Sequence, residues 1–307
     1  MSNIHPTEFI WFNGKMVPWH DAKTHVLSHS LHYGTAVFEG IRANKAKNGP
    51  AIFRLDAHIR RLLNSAKIMQ MNCPYGYGDF SRACIELVKA NKLHACYIRP
   101  LIFFGAKKMG LQTVGVPVEA TIAAWEWEAY LGEKAMETGA RLKISSYTRH
   151  HVDVMMTKSK TSGNYANSTL AKMEAVHAGY DEAVMLDPQG FVCECSAENI
   201  FIIKDGMVIT PPASNVLEGI TRDSILKIAQ DLRIPTKEQH FTRDQLYTAD
   251  ESFLSGTAAE LTPVAEVDHR IIGSGKPGEI TKKLQKKLTA ATHGLDSRYK
   301  KWLTYVK

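Results

Sequence analysis

Asn199-Ile200-Phe201-Ile202-Ile203-Lys204-Asp205-Gly206-Met207-Val208-Ile209-Thr210 decides how the fold is read. Two apolar, β-branched runs flank Asp205-Gly206, a pair that supplies the positive backbone angles of a two-residue hairpin turn. The stretch therefore reads as two antiparallel strands. Just upstream, Ala183 to Leu186 and Phe191 to Glu194 flank Asp187-Pro188-Gln189-Gly190, which makes the second half a meander. At the other end of the chain, Glu8 to Phe12 and Lys15 to Pro18 flank Asn13-Gly14, so the first half also opens with a hairpin. Helical spacing appears in Ile59, Leu62, Leu63, Ala66 and Met69 behind an Asp56 cap. It recurs in Ile225, Ile228, Ala229 and Leu232 behind Thr221 or Asp223. Helices and hairpins thus share both halves, which implies a mixed α/β fold. Between the apolar run Ala120 to Trp127 and the strand-like Arg141 to Ser146 lies the polar stretch Ala129 to Gly139, where the spacing places a domain junction. The expected division is 1–131, a connecting 132–139, and 140–307.

Composition bounds the answer further. The chain has 307 residues, a formal charge of +7 and 44% apolar side chains, enough for two domains with sizeable cores and unlike a disordered chain. Five cysteines cannot all pair within one chain, and nothing near Met1 resembles a secretory leader. These features imply a reducing, cytoplasmic setting. No stretch approaches the roughly 20 apolar residues a membrane span needs, so no membrane partner is expected. Lys282, Lys283, Lys286 and Lys287 alternate with Leu284 and Leu288 at helical spacing. That pattern reads as a solvated helix face, and no nucleic-acid fingerprint accompanies it. A non-catalytic, basic nucleic-acid-binding protein is the rival reading from a different class.

Searches for familiar catalytic motifs return no metal-binding HExxH helix, no GxSxG elbow and no Walker loop. Cys193 and Cys195 have no second pair to complete a zinc site, and His25, His29 and His32 lack a carboxylate, so no metal is expected. Two segments read as anion cups. Gly219-Ile220-Thr221-Arg222 leads into an amphipathic helix, whose first amides and dipole favour a phosphate. Ser255-Gly256-Thr257-Ala258-Ala259 follows a strand-like run, and its small residues allow close backbone approach. A third segment, Lys160-Thr161-Ser162-Gly163-Asn164-Tyr165, presents an amine that could attack a carbonyl and hold an aldehyde cofactor. On composition alone Lys158 serves as well.

Taken together, Glu194-Cys195-Ser196-Ala197-Glu198-Asn199-Ile200-Phe201, Val208-Ile209-Thr210 and Leu217-Glu218-Gly219-Ile220-Thr221-Arg222 resemble the signature of class IV pyridoxal-phosphate aminotransferases. Leu31-His32-Tyr33-Gly34, Val37-Phe38-Glu39-Gly40, His58 to Leu62, Tyr97-Ile98-Arg99-Pro100 and Ser255 to Glu260 extend the likeness to branched-chain amino-acid aminotransferases. The resemblance implies a two-domain, fold-type IV enzyme with pyridoxal 5'-phosphate between the domains. It implies that Lys160 holds the cofactor as a Schiff base and moves the α-proton, and that Glu194 faces the pyridine nitrogen. Arg61, Ile220, Thr221 and Thr257 match phosphate anchors, with Leu217, Gly219 and Gly256 beside them, and Tyr165 matches the partner of the ring oxygen.

For substrate, the same likeness makes Phe38, Trp127, Tyr130 and the Tyr33 of a second subunit apolar walls. Arg99 would receive glutamate's distal carboxylate, while Tyr97 and the amides of Thr257 and Ala258 would hold the α-carboxylate. Met109 lies on a loop, Ala106 to Gly110, expected to come from a second subunit. The implied partners are amino acids, 2-oxo acids and a second copy in a homodimer or larger homo-oligomer with interface-borne sites. The implied reaction moves an amino group between leucine, isoleucine or valine and 2-oxoglutarate. Within the family, a D-amino-acid aminotransferase or an aminodeoxychorismate lyase is the alternative. Cys195 and Glu218 stand where glycine and proline would be expected.

Overall fold

In the computed structural model, residues 4–127 and 131–307 are described, apart from the Glu133 side chain. Contacts divide the chain into two units, one comprising Met1–Glu128, Ser159–Asn164 and Ala290–Lys307, the other Ala129–Lys158 and Tyr165–Thr289.

The first unit is built on a sheet whose strands are β1 (Phe9–Phe12), β2 (Lys15–Pro18), β3 (Val37–Phe38), β4 (Ile41–Ala46), β5 (Gly49–Phe53), β6 (Cys96–Phe104) and β7 (Val118–Trp125). The C-terminal strand Leu303–Tyr305 completes it by pairing antiparallel with β5. From that edge the order runs β5, β4, β6, β7, β1, β2, with β3 pairing β6 off the path. Asn13 and Gly14 both take positive φ, so the Asn-Gly turn joins β1 to β2 as its chemistry requires. Three helices accompany the sheet: α1 (His29–Tyr33), α2 (Leu55–Ile68) and α3 (Tyr77–Ala90). Ile59 and Leu62 of α2 and Phe80 and Leu87 of α3 are fully buried with Ile41, Ile98 and Ile122 of the sheet. Each such side chain contributes about 1.5–3 kcal/mol of hydrophobic stabilisation. Asp56 does not cap α2. The helix starts at Leu55 from Arg54, which adopts the left-handed conformation, and Asp56 sits in the first turn, where its charge still complements the helix dipole.

The second unit carries β8 (Ala140–Ile144), β9 (Glu182–Leu186), β10 (Val192–Cys195), β11 (Asn199–Lys204), β12 (Met207–Thr210), β13 (Thr236–Glu238), β14 (Glu251–Gly256), β15 (Glu260–Val267) and β16 (Arg270–Ile271). Their order is β10, β9, β8, β15, β14, β11, β12, β13, with β16 on β15. The hairpins at 183–194 and 199–210 form in the register the turns dictate. Strands β9 and β11 are buried along nearly their whole length, which explains why their sequences are continuously apolar instead of alternating. The helices here are α4 (Gly132–Thr138), α5 (Asn164–His177), α6 (Ile220–Asp231), α7 (Arg243–Tyr247) and α8 (Glu279–Thr292). Leu284 and Leu288 of α8 are buried while Lys282, Lys283 and Lys286 are exposed, as a solvated helix face requires. Helix α6 begins at Ile220 behind Gly219, earlier than a Thr221 or Asp223 cap would place it. Among the described residues no helix is long and apolar enough to cross a membrane.

Candidate active site

Lys160 lies on a short extended segment held on two sides within the first unit. Its carbonyl accepts the Phe38 N–H at 3.0 Å, and its N–H donates to Ser65 Oγ of α2 at 3.0 Å. Further along, Gly163 N–H donates to the Gly34 carbonyl. The two glycines cross closely: a Cβ on Gly34, whose φ is +64°, would stand 2.9 Å from the Gly163 Cα. This close passage explains the glycine following the lysine.

Phe38 forms the wall beside that amine. Lys160 Nζ lies 5.0 Å from the ring centroid and Arg99 Cζ lies 4.8 Å from it, so both cations meet one aromatic face. Strand β6 places Tyr97 and Arg99 two residues apart on one face. Arg99 Nη2 donates to the Tyr97 hydroxyl at 3.4 Å, and Arg99 Nε is buried without a hydrogen-bond partner. Tyr97 packs edge-on against Trp127, with centroids 4.5 Å apart. The Trp127 carbonyl accepts from Arg42 Nη2 at 3.1 Å. Gly40 must be glycine here, because a Cβ would fall 1.8 Å from the Tyr97 hydroxyl oxygen. The structure thus gathers Lys160, Phe38, Tyr97, Arg99 and Trp127. Tyr33 and Met109 lie apart from this buried cluster. Gly110 N–H donates to Tyr33 Oη at 3.1 Å, and both Tyr33 and Met109 are exposed at the surface. Tyr130 lies outside the described residues.

Arg61, on α2, is fixed by a residue to which the sequence reading gave no role. Glu39 is fully buried and accepts from Arg61 Nε at 2.6 Å, Arg61 Nη2 at 2.9 Å and His58 Nδ1 at 2.7 Å. Burial works to raise the Glu39 carboxyl, but Arg61 and His58 outweigh it and hold the group well below the usual carboxylate range. Burial pushes the His58 imidazole down, more strongly than Glu39 raises it. His58 is therefore neutral, with its proton on Nδ1.

The second unit gathers a separate set. Glu194 of β10 is buried, and its Oε2 accepts the Leu217 N–H at 3.3 Å. Arg149 Nε lies 2.7 Å from Glu194 Oε1, out of line for a hydrogen bond, so the contact is ionic and that oxygen accepts no hydrogen bond. Asn199 Nδ2 donates to the Leu217 carbonyl at 3.1 Å. A Cβ on Gly219 would meet Asn199 Oδ1 at 2.0 Å, so the turn into α6 needs glycine. Ile220 and Thr221 form the first turn of α6, which has no side-chain cap. Arg222 turns away to the Pro211 carbonyl and Glu238 and is not part of the cup. Gly256 ends β14, Thr257 and Ala258 follow in a turn, and Ser255 Oγ is buried without a partner. Tyr165 is half-buried in the first turn of α5. Glu198 packs beside Gly256. Burial, reinforced by Glu182, pushes its carboxyl well above the usual range, which keeps a repelling charge away from the cup.

A model of the Amino-transferase class IV family matches residues 36–267. The chain belongs to the class IV aminotransferases. Among members of this class, the branched-chain-amino-acid aminotransferase of Pseudomonas aeruginosa is 50% identical over 298 residues, 97% of each chain. That of Escherichia coli K12 is 46% identical over 280 residues, 91% of each chain. A crystal structure of a thermophilic ("T.th.") branched-chain amino acid aminotransferase with pyridoxamine 5'-phosphate superposes with a TM-score of 0.96 at 50% identity, covering 99% of this chain and 100% of that one.

The class IV residues fit a phosphorylated pyridine aldehyde. Glu194 Oε1 is a buried acceptor without a hydrogen bond, as a protonated ring nitrogen requires. The uncapped start of α6 and the unpartnered Ser255 hydroxyl are donors suited to phosphate oxygens. Lys160 supplies the amine for the aldehyde. The residues missed by sequence reading are Arg149, Ser65 and the Glu39–His58 pair. Of these only Glu39 carried a signal, a lone acid between Phe38 and Gly40 in an otherwise apolar run.

Proposed function

We propose that this class IV aminotransferase moves the amino group between branched-chain L-amino acids and 2-oxoglutarate. The observation that carries this reading is the placement of Lys160 Nζ and Arg99 on one Phe38 ring, beside Tyr97 and Trp127. Such a wall accepts an aliphatic side chain, and its edge carries a cation for glutamate's second carboxylate. The names of the relatives agree with it.

When bound, pyridoxal 5'-phosphate supplies the aldehyde that takes the amino group and a ring that stores the electrons released with the α-proton. Lys160 holds the cofactor at rest and then carries the proton as general base and acid. In this reading Glu194 faces the ring nitrogen, and Tyr165 the ring oxygen. Arg61, Thr257 and the amides at Ile220 and Thr221, framed by Leu217, Gly219 and Gly256, hold the phosphate. Tyr97 and the amides of Thr257 and Ala258 orient the α-carboxylate. Phe38, Trp127 and Tyr130 exclude water around the side chain.

The reading includes a second copy of the chain. Leu31, Leu111 and Val114 are strongly exposed around the loop tied to Tyr33, and a homodimer that covers them would bring Tyr33 and Met109 to the partner's pocket. It also includes a cytoplasmic setting, and a domain division at 132–139.

The test is a substrate panel on purified protein, following the cofactor's absorption. L-leucine is expected to convert the cofactor to its amine form, with D-alanine and aminodeoxychorismate inert; the reverse preference overturns the reading. In single-turnover measurements, Arg99→Gln should slow the glutamate half-reaction by about 30-fold or more, the cost of one lost charge pair, and the leucine half-reaction far less. Equal losses contradict the role given to Arg99.

A further inference from the structure

His58, Arg61 and Ser65 lie at i, i+3 and i+7 on helix α2 and therefore share one face. The N-terminal two meet Glu39, and the third meets the backbone of Lys160. Ser65 Oγ accepts the Lys160 N–H at 3.0 Å and donates to the Arg61 carbonyl at 2.8 Å. Ser159 Oγ donates to the Ser65 carbonyl at 3.3 Å. A single turn of helix thus joins the amine-bearing segment to the base of the Arg61 side chain.

Glu39 controls the other end of that side chain. Two of the five guanidinium N–H groups go to its carboxylate, through Nε and Nη2, in the two-pronged geometry that fixes a guanidinium plane. The plane cannot turn without breaking both bonds. His58 in turn fixes Glu39 with a third bond to Oε2. A buried carboxylate needs such pairing simply to exist. The arrangement does more than satisfy that need, because it leaves Arg61 no choice of direction relative to Lys160.

We propose that Glu39, held by His58, is a positioning residue that fixes the Arg61 guanidinium relative to Lys160, so that one cofactor meets its phosphate anchor and its amine together. This rests on the reading that Arg61 anchors phosphate. Glu39 touches neither substrate nor cofactor and acts through Arg61.

The experiment measures binding of pyridoxal 5'-phosphate and of phosphate-free pyridoxal to the cofactor-stripped enzyme by absorption. The ratio of the two dissociation constants gives the advantage conferred by the phosphate. Glu39→Gln is expected to cut that advantage by about tenfold or more, the scale of a misdirected charge-assisted contact, while pyridoxal affinity stays within about twofold. An unchanged advantage, or an equal loss for both ligands, overturns the proposal. Arg61→Gln separates the two layers of the argument. If it keeps the wild-type advantage, the anchor reading is wrong. If it loses the advantage and Glu39→Gln does not, only the positioning role is wrong. Should Glu39→Gln fail to fold, His58→Phe decides, since it leaves the Arg61–Glu39 pair in place. A phosphate advantage reduced about threefold or more supports the proposal, and a wild-type value overturns it.

Discussion

Lys160→Ala will leave no measurable turnover and no covalently held cofactor. Loss of proton transfer alone removes about 10²–10⁴-fold in rate, and the variant loses the attachment as well. The substitution is clean because the backbone of residue 160, not its side chain, makes the structural bonds. The carbonyl to Phe38 and the N–H to Ser65 survive truncation, so the thermal midpoint should move little. Lys158 cannot substitute. Its ammonium bonds the Val216 carbonyl at 3.1 Å and lies 3.5 Å from Glu218, two residues along a chain whose side chains alternate. Steady-state transamination and the absorption of the dialysed protein check both halves of this expectation. A rate within tenfold of wild type, or absorption that persists through dialysis, contradicts it.

Glu194→Gln should lower kcat by about 30-fold or more, because a neutral amide cannot stabilise a positive ring nitrogen as a carboxylate does. The amide keeps the shape of the side chain and can still accept the Leu217 N–H, so the loss isolates charge. Glu194→Ala should in addition cost about 3–5 kcal/mol of stability. Arg149 is almost as buried as its partner, with side-chain exposures of 8% and 5%. Without Glu194 it would retain only its bond to Ser168 Oγ at 2.8 Å. Denaturant melts of the two variants separate the effects. A normal kcat in Glu194→Gln contradicts the ring-nitrogen role, and an unshifted midpoint in Glu194→Ala contradicts the ion-pair energetics.

Much of the fold was legible because its signals are local. Asn13-Gly14 and Asp205-Gly206 can adopt positive φ where most residues resist it, and both sit in the hairpins they announce. The leucines and lysines of α8 likewise sort by face. Long-range pairing leaves no such trace. Nothing in Leu303–Tyr305 says that it will pair with Gly49–Phe53, and nothing in Ser159–Asn164 says that it will run beside the first sheet. Helix starts misled by a residue or more, since Asp56 and Thr221 are good caps by chemistry while Arg54 and Gly219 occupy the positions. For the site, motif spacing identified the residues that would touch cofactor and substrate. The residues that orient them were not visible. Arg149 stands in a polar stretch without periodicity, and the value of Ser65 lies in a bond to a segment far along the chain.

The central claim is that one ε-amine, that of Lys160, carries the cofactor. Reduction of the reconstituted enzyme with borohydride, followed by proteolysis and mass spectrometry, tests it most directly. The account predicts a phosphopyridoxyl group on Lys160 and on no other lysine. A label on Lys158, or no label after reconstitution, would contradict it.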